Sequence, residues 1–317
     1  MSIDRNILKG CAQAGDPSTS RERDTLGPWR SVRVVIPPVR LRQVVLITND
    51  LPAVTADLES SLGLDAGYAD RGVELFGLEN RVLAAGDCFI EVLTPVSTAC
   101  TGARYLARRG GRDGGYMAIF QCDERDGIRR RVADVGVRVV WQADLEDISG
   151  THLDPRDVPG AIVSLDWADP PESWHWAGPA WQGTQAGESA TRRPGGITGL
   201  TVAVEDPPAT ATRWAQVLGH GVEQEGPVLW LRDAAQRLEF VSASRREDEG
   251  IVGWSLALAP VPGAPPALDR VIGGVRMIVE PLEGELHRQQ QEGHRSWRTS
   301  TRVPTTSSAP STTVWRR

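Results

Sequence analysis

The 317-residue chain is short of most residues that announce a chemistry. Its four cysteines, Cys11, Cys88, Cys100 and Cys122, form no CxxC pair and no metal-type cluster. Cys88 and Cys122 stand in apolar, strand-like runs, where a thiol behaves as a small buried hydrophobe. No GK[ST] follows the glycine pairs Gly110-Gly111 and Gly114-Gly115, so there is no phosphate loop. GxSxG and HExxH are missing, which leaves the common hydrolase and metalloprotease routes without support. Positive charge is not in excess: the formal net charge is −6, where a nucleic-acid binder would present a basic face. No apolar run reaches the roughly 18 residues of a membrane span. The first residues lack the charged-then-apolar pattern of a signal peptide. These absences lead us to expect a cytoplasmic protein with neither nucleic acid nor membrane as partner. Phe (4), Tyr (3) and Met (3) are scarce, and the aromatic supply lies in 11 tryptophans.

What is present is ordinary globular material, 40% apolar and 24% charged. At roughly 150 residues per domain the length suggests two domains, large enough to bury a core without staples. Residues 1–39 and 287–317 are polar and aperiodic and are expected to be irregular or disordered. Trp167, Trp174, Trp176 and Trp181 crowd a Pro/Gly-rich connector, and residues 183–194 read as a linker. Tryptophans in such a connector are expected to pin it to a domain surface, with ligand stacking as the alternative.

Between the ends lies a repeat. The segment from Arg42, RQVVLITNDLPAVTADLESSLGL, aligns without a gap on the segment from Thr198, TGLTVAVEDPPATATRWAQVLGH. Each is an apolar strand, then Asp (Asp50, Asp206), Pro (Pro52, Pro208), and a helical stretch closed by Leu-Gly. The carboxylate suits a helix N-cap, the proline the first turn, and Gly63 or Gly219 a left-handed C-terminus. Val54, Leu58 and Leu62 mark one helical face. Asp-to-Gly spacing is 13 residues in both, and the same ruler finds Asp123–Gly136 after the strand Tyr116–Cys122. A weaker copy follows Trp254–Ala259, with Pro260 for Asp, Gly273 at the same 13, and a helix broken by Pro262, Pro265 and Pro266. Strand-like runs follow each glycine: Val73–Leu78 and Cys88–Leu93; Val137–Gln142, Thr151–Leu153 and Ala161–Leu165; Val228–Leu231 and Arg237–Val241; and Val275–Val279.

This pattern, with FIEVLTP at Phe89–Pro95 and HLDPRDVPGAIVSLD at His152–Asp166, resembles the vicinal oxygen chelate superfamily of glyoxalase I, extradiol dioxygenases, methylmalonyl-CoA epimerase and bleomycin-resistance proteins. The resemblance runs over about residues 40–282 and includes a bacterial glyoxalase-like family. It implies an α+β fold of four βαβββ units, paired into two glyoxalase-like domains with cup-shaped mixed sheets: residues 40–182, and a degenerate 195–286. It also implies a divalent metal in such a cup, held by the first and last strands of each unit and polarising two neighbouring substrate oxygens, although the degenerate second domain, keeping only Glu239, is not expected to hold a metal by itself. The first-strand position, seven residues before the helix Asp, carries Gln43, Tyr116 (or Met117), Gly199 and Gly253. The last-strand position carries Glu91, Ser164, Glu239 and Ile278. The first domain therefore keeps Gln43 and Glu91, with His152 and Asp154 as further metal-ligand candidates two apart on a strand. Such a mixed N/O set would suit Zn, Ni, Mn or Fe. Where the family reads a second histidine, this chain has Asp154. Glu91 is the candidate general base and Tyr116 a candidate donor to a substrate oxygen. Glu239 reads as structural. The basic run Arg104–Arg112 reads as a solvated helix end, or as a contact for an anionic substrate at the mouth of the cup.

Three functions are consistent with this. The first is a metal-dependent lyase or isomerase acting on a small oxygen-rich metabolite. The second is a metal-free cup that sequesters a small, antibiotic-like molecule. The third is an extradiol dioxygenase, which wants two His and one Glu that are not at the expected positions. The partner expected is a small-molecule substrate or ligand, and the cup could be completed in a homodimer.

Overall fold

The computed structural model describes residues 39–178, 181, 193–226, 228–233 and 236–282, which fall within one compact unit. Of the segments expected to be irregular or disordered, 1–39 and 287–317, all but Val39, which opens the first strand, lie outside the described residues, as does most of the 183–194 linker.

The repeat is the plan of the fold. Unit one is β1 (Val39–Ile47), α1 (Leu51–Leu62), β2 (Leu78–Ala85) and β3 (Cys88–Pro95). An added helix, α2 (Thr101–Arg108), leads to unit two: β4 (Gly114–Cys122), α3 (Arg125–Asp134), β5 (Val139–Asp144), β6 (Ile148–Leu153) and β7 (Ile162–Ala168). Unit three is β8 (Gly195–Val204), α4 (Pro207–Leu218), β9 (Glu223–Glu225), β10 (Val228–Asp233) and β11 (Gln236–Ser242). Unit four is β12 (Gly250–Leu258), β13 (Leu268–Ile272) and β14 (Val275–Pro281), with no helix across its prolines, as expected. The class is thus α+β, with one large mixed sheet.

The aligned caps form as their residues dictate. Asp50 Oδ1 accepts from Ala53 N at 3.1 Å and Asp206 Oδ1 from Ala209 N at 3.0 Å. Gly63 (φ 58°) and Gly219 (φ 77°) close α1 and α4 in the left-handed region. Unit two departs, because Glu124 rather than Asp123 stands at the start of α3. Unit one departs more. The expected strand Val73–Leu78 is a 3-10 turn, Arg71–Phe76, opened by Asp70 accepting from Gly72 N and closed by Gly77 at φ 71°. Local turn chemistry overrides the apolar run, and the strand begins only at Leu78. Unit one is βαββ plus one isolated bridge, Tyr68 to Val82.

Pairing is pseudo-symmetric. The first half runs β2-β3-β1-β4-β7-β6-β5 and the second β13-β14-β12-β8-β11-β10-β9. Each half is centred on an antiparallel pair, β1 with β4 and β8 with β12. A bridge from Gly115 to Ile251 joins β4 to β12, so the fourteen strands described make one sheet.

Alternation along β1 sends side chains into two cores. Val44 and Leu46 meet α1, α3, α4 and the second half, while Val45 and Ile47 meet α2 and the tryptophan segment. In the first of these, Trp214 of α4 is fully buried, edge-on to Phe120 of β4 (6.0 Å) and Phe240 of β11 (5.4 Å). Its indole N–H donates to Pro159 O at 2.9 Å. One side chain thus ties the two halves. Trp214→Ala is expected to cost about 3–5 kcal/mol, read as a lowered denaturant midpoint. Because the core is shared, far-UV and fluorescence transitions should stay coincident in wild type; separate transitions would contradict a shared core.

Candidate functional site

The face of the first-half strands turned away from α1 and α3 is the one expected to form the cup. Registration fixes what points there. Gln43 on β1 lies opposite Ile119 on β4, Ile119 opposite Ser164 on β7, and Ser164 opposite His152 on β6. On the other side Glu91 of β3 is level with Val45, and Asn80 comes from β2.

Gln43, Glu91 and Asn80 form a buried group, each 1–7% exposed. Gln43 Nε2 donates to Glu91 Oε2 at 2.7 Å, and Asn80 Nδ2 donates to Glu91 Oε1 at 2.6 Å. The indole N–H of Trp174 donates to Gln43 Oε1 at 2.7 Å. An indole nitrogen only donates, so it dictates that the amide oxygen of Gln43 faces Trp174 and the amide N–H faces Glu91. Burial pushes the Glu91 carboxyl up to about 7 against the pull of the Asn80 and Gln43 hydrogen bonds.

Trp174 is held over this group from below. Arg42, next to Gln43 at an irregularity of β1, is 1% exposed and gathers the carbonyls of Pro171 (2.8 Å), Glu172 (2.8 Å) and Ser173 (3.0 Å). It also donates to Gln121 Oε1 at 2.6 Å, and Gln121 Nε2 donates to Pro171 O at 2.7 Å. Burial lowers the Arg42 guanidinium to about 9, which leaves it charged at neutral pH. It lies 4.7 Å from the Trp174 ring. Phe89 of β3 stacks on Trp174 (6.0 Å, 7°) and meets Trp181 edge-on at 4.6 Å. The connector is pinned by its tryptophans, as expected, and the surface it is pinned to is the cup face itself.

The unit-two side has its own buried carboxylate. Asp166 accepts from Trp176 Nε1 at 2.7 Å and from Ser164 Oγ, and burial pushes its carboxyl up to about 6. His152 packs against Trp141 (4.3 Å) and near Phe76 (6.3 Å), and burial holds its imidazole down to about 4, so it is neutral.

Of the expected site residues, the structure brings Gln43 and Glu91 together and leaves the rest apart. Asp154 lies just past β6, where Arg156 clasps it at 2.7 Å and Arg138 approaches to 3.3 Å. These partners hold its carboxyl below the usual range. His152 shares the row of Gln43 but is three strands away, roughly 14 Å along the sheet at the usual strand spacing. Tyr116 packs edge-on to Tyr105 at 5.1 Å, burial pushes its phenol up to about 12, and no hydrogen bond joins it to the Glu91 group. Glu239 lies 2.9 Å from Arg237 Nε in the second half.

A divalent metal does not fit this donor set as arranged. Both Glu91 oxygens accept from amides, the Gln43 oxygen faces an indole, and Asp154 is taken by arginines. Metal ligation needs several such atoms on one ion at about 2.0–2.6 Å. Among the described residues no group of three or more His, Cys, Asp or Glu could hold one.

Sequence reasoning missed Asn80, Asp166 and Arg42. Asn80 was hidden by the misplaced strand before it. Asp166 stands at the end of the HLDPRDVPGAIVSLD stretch. Arg42 carried no signal beyond being charged beside an apolar strand.

The family model described as glyoxalase-like domain matches residues 44–218. No curated protein matches the chain. Among solved structures, a hypothetical protein from Staphylococcus aureus is similar at TM-score 0.57 and 12% identity, over 77% of this chain and 99% of that one. A mutant 4-hydroxymandelate synthase from Streptomyces coelicolor is similar at TM-score 0.54 and 17% identity, over 71% and 72%. At these identities the likeness is one of fold.

The two raised carboxyls make a pH prediction. Glu91 goes from 4.5 to about 7 and Asp166 from 3.8 to about 6, so the folded protein holds protons that the unfolded chain releases. Their contribution is full below about pH 4 and is lost as pH rises through 6 to 7, at about 1.4 kcal/mol for each tenfold difference in proton affinity between the folded and unfolded chain. Denaturant midpoints from pH 5 to 8 should fall, and fall less in Glu91→Gln. Equal slopes in the two proteins would show that Glu91 does not hold the proton.

Proposed function

The chain belongs to the glyoxalase-like domain family, and from that premise we propose that its first half is a small-molecule-binding module that works without a resident divalent metal. The ligand is a planar aromatic molecule that takes the place of the indoles of Trp174, Trp176 and Trp181. The observation that carries this reading is the fixed Gln43 amide, which gives its oxygen to Trp174 and its N–H to Glu91. That arrangement suits a flat N–H donor and not a cation. Phe89 supplies the stacking face, and Asp166 a second acceptor for an N–H group. Ligand and segment compete for one face, so the apparent affinity is reduced by the fraction of time the segment stays seated.

A second reading, proton transfer in a lyase or isomerase, is favoured by the burial of Glu91, which pushes its carboxyl up to about 7. A carboxylate with that pKa can take and return a proton near neutral pH. This too requires the Trp174 segment to leave.

The test combines metal analysis with binding. Protein purified without chelators, as wild type and Glu91→Ala, is expected to carry little metal in both. Calorimetric titration with indole and benzimidazole, both flat N–H donors, is expected to show saturable binding, tighter in Trp174→Ala, where the competing ring is gone. Near-stoichiometric metal in wild type that Glu91→Ala loses would overturn the metal-free reading. Absence of aromatic binding in both wild type and Trp174→Ala would overturn the ligand class.

A further inference from the structure

A groove of about 690 Å³ lies between the C-terminal end of α2 in the first half and segment 244–248 in the second, and its lining includes none of the residues of the Trp174 site. Arg108, Arg109, Arg112 and Arg245 line it, with Glu247 and Asp248. Arg112 pairs with Asp248 at 2.8 Å and Arg245 with Glu247 at 3.3 Å. Two carboxylates thus face four guanidinium groups, and although Asp248 also feels Arg245 and Arg109 through space, Arg108 and Arg109 form no direct ion pair with any described residue.

Arg109 is the unusual member. It is 5% exposed, and its Nε is buried without an acceptor. Its Nη1 donates to Glu249 O at 2.9 Å, and the group lies so close to Gly114 that a Cβ there would come within 2.7 Å of Nε. Arg108 and Arg109 both stand over the Tyr105 ring, at 5.2 and 5.6 Å. The carbonyl end of α2 and the ring face offset part of the charge, but neither is a counter-ion. A buried cation without one is costly. Elsewhere many surface arginines are matched, as Arg138 is with Asp157, Arg276 with Asp269 and Arg129 with Asp144.

We propose that this groove is a binding site for a phosphate-type oxyanion, with Arg108 and Arg109 as its unneutralised anchors. Guanidinium groups hold such anions through paired, charge-assisted hydrogen bonds, and the groove's volume is in the range of small-ligand sites. The same chemistry would take free phosphate or the phosphate of a small phosphomonoester. The site is independent of the aromatic site proposed above.

The test is calorimetric titration at fixed ionic strength with inorganic phosphate and with ribose 5-phosphate. Wild type is expected to bind at least one of them saturably. Arg108→Glu, an exposed substitution, should weaken binding tenfold or more with an unchanged melting temperature in the absence of phosphate. Arg109→Lys keeps the charge but loses the fork and should weaken it too. Arg276→Ala, on the other half's surface, should bind as wild type does. Tighter ribose 5-phosphate identifies a phosphomonoester as the ligand, and equal affinity identifies the free ion. No saturable binding by wild type, or binding that Arg108→Glu retains in full, overturns the proposal.

Discussion

One hydrogen bond, from the indole N–H of Trp174 to the side-chain oxygen of Gln43, decides what the first half can do. An indole nitrogen has no lone pair to offer, so the bond can be made in only one sense. With the oxygen committed to Trp174, the Gln43 amide must turn its N–H toward Glu91. Glu91, which the resemblance makes a metal ligand, becomes the acceptor of two amide donors instead. The rest of the site's character follows: no shared donor set for a cation, and a carboxyl buried enough to hold its proton toward neutrality.

The bond holds because the segment that bears it is anchored from the sheet. Arg42 gathers three successive carbonyls, sharing that of Pro171 with Gln121 and that of Glu172 with Trp181, and so fixes the backbone of the segment to the sheet. Phe89 and the aliphatic side chains of the same face then cover the rings of Trp174 and Trp181. A buried tryptophan removes about 150–250 Å² from water, worth at most about 4–6 kcal/mol at 25 cal/mol/Å². A ligand entering this face has to match that burial as well as the hydrogen bonds. This is the physical reason for expecting a flat aromatic molecule with an N–H donor rather than a small polar one.

Much of the fold was legible because its signals are local. Asp50 and Asp206 cap, Gly63 and Gly219 close, and the strands between them alternate into two cores. The failure in unit one was also local, since Asp70, Gly72 and Gly77 form a turn where apolar residues suggested a strand. The site was half legible. Gln43 and Glu91 do meet, because parallel pairing of β1 and β3 places them there. Asp154 could not be judged from spacing alone, because its fate depends on Arg138, distant in sequence, and on Arg156 beside it. The tryptophans were visible as a cluster, but nothing in their spacing says which face of which sheet they cover. That depends on Arg42, whose partners lie some 130 residues away.

The character of the site depends on Trp174 being seated in solution, and hydrogen exchange of its indole N–H, followed by ¹⁵N NMR of the full chain, tests this most directly. Slow exchange of that proton is expected in wild type, and markedly faster exchange in Gln43→Ala. Exchange at the free-indole rate in wild type would contradict a seated Trp174, because the Gln43 amide would then be free to turn its oxygen back toward Glu91.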